Sequence, residues 1–185
     1  MRRLIRLVGV LALGTAACSP GGGTSATGRG GNAEKFPPCH PGCFPAGTLV
    51  ETPAGPRPIE AVRTGDPVLL VSPDGVKTSG PVQAVFRTTN VLVEVRTEAG
   101  NLRTTETQPL ARVSGGFRPA GELAPGDLVW RWAGGQRQPA LVTAVVATGR
   151  VDEVYNLVVG DGLAFVAGGF VARGKPPATS AEPGP

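Results

Sequence analysis

The 185-residue sequence predicts an all-β fold. Short apolar and β-branched runs recur about every ten residues, and Gly, Pro, Asp and Asn separate them. No segment sustains an apolar stripe at the 3.6-residue period of a helix. Short strands punctuated by turn residues mean a sandwich or barrel-like β domain.

The runs are TLVE (48–51), PVLLV (67–71), VQAVF (82–86), VLVEV (91–95), LVWRW (128–132), ALVTAVVA (140–147), EVYNLVV (153–159), LAFVA (163–167) and FVA (170–172). PIEAVRTGD (58–66) has room for one helical turn, with Ile59 and Val62 on one side. Trp130 and Trp132 share a strand face by alternation and are expected to pack at the core or its rim. VGDGL (159–163) reads as a turn, because no helix pattern follows it to make a phosphate loop. Glu106 is expected at a solvated strand end.

The core carries an internal repeat. GPRPIEAVRTGDPVL (55–69) aligns with GFRPAGELAPGDLVW (116–130), with Gly55, Arg57, Pro58, Gly65 and Asp66 on Gly116, Arg118, Pro119, Gly126 and Asp127. Two related β subdomains about a pseudo-two-fold are expected. Each Gly-Asp pair is read as a tight turn before a strand. The Gly supplies backbone freedom and the Asp side chain bonds N–H groups ahead of it. These acids are therefore read as structural rather than catalytic.

The ends of the chain bound its context. Arg2, Arg3 and Arg6 precede a short apolar run, Leu7 to Ala17, which is too short to span a bilayer as a helix. This reads as a secretory signal, residues 1–17. Thr15, Ala16 and Ala17 before Cys18 resemble a bacterial lipobox, in which Cys18 becomes the lipidated first residue and tethers the protein to the membrane of the cell envelope. An ordinary cleaved signal, or none, is the alternative. The chain has 18 basic and 14 acidic residues, and removing the three signal arginines leaves 15 against 14. The pI of 9.4 is thus largely a targeting feature. Without a basic stripe and interleaved aromatics, no nucleic-acid partner is expected. Residues 18–42 hold seven Gly and four Pro between Ser19 and Gly42 and read as a flexible tether. Residues 174–185, GKPPATSAEPGP, read as a disordered tail. A single domain, 43–173, remains.

GCFPAGTLVETPAGPRPIEAVRTGDPVL (42–69) resembles the opening of the hedgehog/intein (Hint) superfamily. Its members begin with a nucleophilic Cys, then F-x-x-G-T-x-V, I-E-x-V and G-D-x-V/L. LRTTETQPLARVSGGFRPAGELAPGDLV (102–129) resembles the second block, built on T-x-x-H. VYNLVVGDGLAFVAGGFVAR (154–173) resembles the closing block, which ends in His-Asn. The resemblance implies a pseudo-two-fold β horseshoe and self-cleavage. The thiol of Cys43 would attack the carbonyl of Gly42, turning the amide into a thioester. Such chemistry needs a thiolate, a stabilised oxyanion and an acid for the leaving nitrogen.

Carried over residue by residue, Cys43 matches the nucleophile and Gly42 supplies the attacked carbonyl. Thr105 matches the Thr of T-x-x-H and is expected to hold the scissile peptide by its hydroxyl. The His position is Gln108, whose amide donates a hydrogen bond but delivers no proton at neutral pH. Asn156 stands where some members carry Asp, and Leu163 or Ala164 where a further His often stands. The terminal pair is Ala172–Arg173, so no Asn side chain is there to cyclise, and Gly174 is no nucleophile for splicing. At most, N-terminal cleavage at Gly42–Cys43 is expected, impaired by the missing histidines. The alternative is a catalytically degenerate Hint scaffold acting as an extracytoplasmic binding or structural module.

The one histidine, His40, lies in CHPGC (39–43). It reads as solvated tether, as a substitute acid or base, or as part of a redox pair. A metal site there is disfavoured, since two thiolates and one imidazole leave a ligand missing. No cofactor is expected. Pro41 and Gly42 form a turn that would let Cys39 and Cys43 pair in an oxidising compartment and mask the nucleophile. The rival is a free Cys43 thiol buried in the cleft.

Overall fold

A computed structural model describes residues 42–160 and 163–176. Its strands are β1 (Phe44–Pro45), β2 (Leu49–Val50), β3 (Arg57–Pro58), β4 (Pro67–Val71), β5 (Lys77–Pro81), β6 (Ala84–Thr97), β7 (Gly100–Thr105), β8 (Pro109–Ala111), β9 (Phe117–Pro119), β10 (Leu128–Ala133), β11 (Gln136–Val158), β12 (Ala164–Ala167) and β13 (Phe170–Arg173). Two 3₁₀ turns, Ile59–Ala61 and Ala120–Glu122, are the helical elements among the described residues. The all-β expectation holds, and Ile59 and Val62 are both buried.

One connected sheet runs β3-β2-β12-β13-β10-β11-β6-β7, with β1, β4, β5, β8 and β9 paired off this path. β11 is the spine. Its first residues pair with β10, from Ala133↔Gln136 to Leu128↔Leu141. The rest pairs with β6, from Val142↔Thr97 to Val158↔Ala84. Register breaks between Val142 and Ala144, and between Ala147 and Val151, interrupt the ladder. Past the second break, β1 lies on the free edge of β11, with Phe44 opposite Tyr155 and Pro45 opposite Val154.

The continuous apolar runs follow from burial on both faces. In β4, Val68 and Leu70 enter the main core, while Leu69 and Val71 enter a second, smaller cluster. Alternation does the same in β12, with Phe165 and Ala167 on one side and Ala164 and Val166 on the other. Phe44 and Phe165 meet edge to face in the main core, their ring centroids 6.0 Å apart. Trp130 and Trp132 pack at the rim of the smaller cluster.

The repeat is written in hydrogen bonds. The N–H of Ile59 donates to the Thr48 carbonyl at 2.8 Å, and that of Ala120 to the Gln108 carbonyl at 2.8 Å. Arg57 pairs with Asp66 at 2.8 Å, and Arg118 with Asp127 at 3.4 Å. Gly65 and Gly126 sit at φ +90° and +99°, which only glycine adopts without strain. One detail departs from expectation: the Asp carboxylates reach back. Asp66 Oδ2 accepts from the Arg63 N–H at 2.8 Å, and Asp127 Oδ2 from the Ala124 N–H at 2.9 Å. Each carboxylate thus closes the turn in which it stands, across the left-handed glycine, instead of capping the strand ahead.

Both ends of the domain also move. Gly42, expected in the tether, is buried, and its N–H donates to Thr107 Oγ1 at 3.2 Å. Lys175, expected in the tail, is only 2% exposed. Its N–H donates to the Leu157 carbonyl at 2.9 Å, and the residue bridges Val158 in parallel. Composition gave no sign of either, because a few long-range contacts hold both residues. The signal, Cys18, Cys39, His40 and the remainder of the tether up to Pro41 lie outside the described residues, as does the tail beyond Pro176.

Phe165 lies at the centre of the core with no exposed surface. Phe165→Ala should lower the unfolding free energy by about 3–5 kcal/mol, read as a shift in the urea midpoint at unchanged slope. A loss below about 1 kcal/mol would mean that the core does not close on this ring.

Candidate active site at the Gly42–Cys43 peptide

The pairing of β1 with β11 brings the chain entering β1 alongside Asn156 and Leu157. The Gly42–Cys43 peptide therefore lies in the interior, although it opens the described residues. Cys43 is 3% exposed, and Thr104, Thr105, Gln108 and Asn156 have no exposed surface.

Both faces of this peptide are held. The Cys43 N–H donates to Thr105 Oγ1 at 2.9 Å. The Gly42 carbonyl accepts from Asn156 Nδ2 at 2.6 Å. The next carbonyl, that of Cys43, accepts from Thr104 Oγ1 at 2.8 Å and from the Thr105 N–H at 3.0 Å. A peptide so gripped cannot rotate about its flanking bonds, which is the entropic part of catalysis. The Asn156 amide donates at the oxygen where negative charge would develop if a nucleophile attacked Gly42, as an oxyanion-hole donor does. Asn156 is itself aimed by its own backbone, because its Oδ1 accepts from the Leu157 N–H at 2.7 Å.

Gln108 belongs to the same network but has another task. Its Nε2 donates to the Arg173 carbonyl at 3.0 Å and to the Pro109 carbonyl at 3.2 Å. Its Oε1 accepts from Asn156 Nδ2 at 3.1 Å. Among the described residues it makes no hydrogen bond to the Cys43 nitrogen. An unbroken relay thus runs from the end of β13 through Gln108 and Asn156 to the Gly42 carbonyl.

Glycine is required at position 42. Its φ is +46°, and a Cβ there would lie 1.9 Å from the Gln108 Cα. The junction is seated directly on the backbone of the relay residue.

The thiol of Cys43 is free and buried among Leu92, Val154 and Phe86. Burial pushes its pKa up to about 11, with the positive charge of Lys175 opposing the rise. The sign follows directly. A higher pKa means less thiolate at a given pH, and with this value about one molecule in 10⁴ carries the nucleophilic form at pH 7.

Of the residues expected from sequence, the structure brings Gly42, Cys43, Thr105 and Gln108 together; Cys18 lies outside the described residues. Sequence reasoning left Asn156, Thr104, Thr107 and Lys175 without roles here. The Thr-Thr-x-Thr spacing (104, 105, 107), at the end of β7 and in the turn after it, carried the only local signal for two of them. Glu106 is exposed, as expected. No cluster of three or more metal-ligating side chains occurs among the described residues.

The chain is similar to several solved structures. Variant M86 of the Ssp DnaB mini-intein matches with a TM-score of 0.66 at 17% identity, over 73% of this chain and 95% of that one. A DnaB intein from Synechocystis sp. PCC 6803 gives 0.66 at 17%, over 72% and 98%. A bacterial intein-like domain from Clostridium thermocellum gives 0.61 at 24%, over 71% and 97%. No family model and no curated protein matches the chain. The protein has the intein-like Hint fold, as the three sequence blocks implied.

Gly42→Ala should expel the junction from its seat while the folded core persists. The iodoacetamide labelling profile of Cys43 should then shift from a midpoint near 11 toward that of free cysteine, about 8.5. An unchanged pH profile would show that the residue before Cys43 is not seated on Gln108.

Proposed function

We propose that this domain cleaves its own chain before Cys43 through a thioester, slowly and without splicing. The observation that carries the reading is the double grip on one peptide, Thr105 at its nitrogen and Asn156 at its carbonyl oxygen. A purely structural junction has no need of an amide donor on the one carbonyl that a neighbouring thiol would attack.

The reaction is an isomerisation. Cys43 Sγ adds to the Gly42 carbonyl carbon, and the oxygen takes negative charge against Asn156 Nδ2. Collapse breaks the C–N bond. The proton lost by the thiol is balanced by the one that the Cys43 nitrogen gains. An added thiol then exchanges with the thioester. It releases the upstream segment as a thioester ending at Gly42 and leaves Cys43 with a free amine. Thr105 orients the departing nitrogen, and its hydroxyl is no acid at neutral pH. With Gln108 occupied at Arg173 and every family histidine absent, the step lacks a dedicated imidazole acid, which typically costs about 10²–10⁴-fold. Ala172–Arg173 and Gly174 offer no asparagine and no second nucleophile, so the reaction ends at N-terminal cleavage.

The upstream segment would carry a lipid at Cys18 and hold the domain at the bacterial cell envelope until cleavage frees it. The acceptor is water or an outside nucleophile. A second reading, a silent scaffold with binding duties, draws on the engagement of Gln108 with β13 and on the raised thiol pKa.

Mass analysis of the purified chain with added thiol decides between these readings. Cleavage before Cys43 should be slow at pH 7 and faster at pH 9. Cys43→Ala should abolish it, and Asn156→Ala should slow it by about 10²–10³-fold. Gln108→His should accelerate it. No cleavage in the Gln108→His form at pH 9 with strong thiol would leave the scaffold reading.

For the anchor, metabolic fatty-acid labelling should mark the wild type and place it in the detergent phase. Equal detergent partitioning of Cys18→Ala would remove the anchor from this account.

A further inference from the structure

The smaller apolar cluster borders a cavity of about 370 Å³. Val71, Ala164 and Val171 line it, together with the rings of Phe117 and Trp130. The cavity shares no residue with the cluster that encloses Cys43. Its size falls at the lower end of the range for small-molecule sites.

Two arginines line the same cavity, and among the described residues no carboxylate does. Arg137 is fully engaged. Its Cζ lies 4.7 Å from the centroid of the Trp130 ring, and its guanidinium donates to the carbonyls of Pro73 at 3.3 Å and Asp74 at 2.8 Å. Arg112 differs. Its backbone is satisfied by the turn that follows it. The Arg112 N–H donates to the Gly116 carbonyl at 3.0 Å, and its carbonyl accepts from the Gly115 N–H at 3.1 Å. Its side-chain Nε is buried and has no acceptor among the described residues. Its charge joins none of the ion pairs there. The acids beside these segments are taken. Asp127, in a neighbouring cleft that Arg112 also lines, accepts from Arg118 and from the Ala124 N–H. Asp74 accepts from the Ser72 hydroxyl. A third positive charge stands close by, with Arg173 Cζ 5.8 Å from the centroid of the Phe117 ring. A buried guanidinium N–H without an acceptor has given up its hydration and gained no bond in exchange, and few native donors stay so.

We propose that this cavity binds a small organic carboxylate with an apolar body, held by Arg112. The carboxylate supplies the acceptor that Nε lacks, and the guanidinium offers its donors as a fork that matches two oxygens. The apolar body lies against the valines and the two rings. Arg137 and Arg173 add positive potential without competing for the oxygens. The walls select the anion. A carboxylate spends both oxygens on one arginine, whereas a phosphate would leave charged oxygens against apolar side chains. The site is independent of the self-cleavage reading, and no step at Cys43 depends on it.

Trp130 reports on the cavity, and Trp132 does not line it. The full chain carrying Trp132→Phe is titrated with benzoate, phenylbutyrate and octanoate, each beside the alcohol of the same carbon skeleton, and Trp130 fluorescence is read. At least one acid should saturate the signal, and its alcohol should bind at least about tenfold more weakly. Arg112→Met should weaken that acid by a similar factor and leave the alcohol within about twofold. Because the Arg112 side chain has no hydrogen bond to lose, the same variant should keep the parent melting temperature when no acid is present. Should Arg112→Met not fold, the ratio of acid to alcohol affinity in the Trp132→Phe chain decides alone. Equal binding of acid and alcohol would overturn the proposal. Failure of all three acids to saturate below about 10 mM would overturn it as well.

Discussion

The hydrogen bond from Asn156 to the Gly42 carbonyl joins residues 114 positions apart, and the site is organised around it. It exists because β1 pairs with the far end of β11, and that end is held by a long ladder to β6. The strand partner fixes where the peptide lies, and the amide fixes which of its atoms is polarised. Gln108 then ties this bond to the last strand. A buried polar network of this kind is stabilising only when every member is satisfied. Here Asn156 uses both of its amide ends, and Gln108 does the same.

Around that bond the environment is dry, which works in two directions. Low polarity strengthens the pull of the Asn156 dipole on the Gly42 oxygen. It also penalises the thiolate, so the nucleophile rests in its neutral form. The thiol thus rests neutral beside a carbonyl that Asn156 polarises.

Much of this fold was legible in the sequence. The runs from TLVE to FVA are strands because their apolar, β-branched side chains fill two faces, although β6 and β11 each carry two of the runs in one long strand, β11 through Gly149. The Arg57–Asp66 and Arg118–Asp127 pairs lie where the repeat puts them. Cys43, Gly42 and Thr105 were legible because they stand within one motif each. Asn156 and Lys175 were not. The first matters through a register between the two ends of the domain, and the second sits in a Pro-rich stretch whose composition says tail. Gln108 was readable as the loss of a proton donor. Its service as a strut to β13 depended on which carbonyl lay within reach.

The internal repeat has a further consequence. Thr48 and Gln108 are counterparts: each offers its carbonyl to the first residue of a 3₁₀ turn, and each precedes a short strand. Among the described residues, the second copy has the incoming chain laid across it, with Gly42 seated on Gln108. The two lobes are therefore an experiment with its own control built in, the same scaffold once with a gripped junction and once without. What distinguishes them is a single incoming strand. The grip on the Gly42–Cys43 peptide is a property of how the polypeptide enters the fold, and the fold by itself is symmetric about the question.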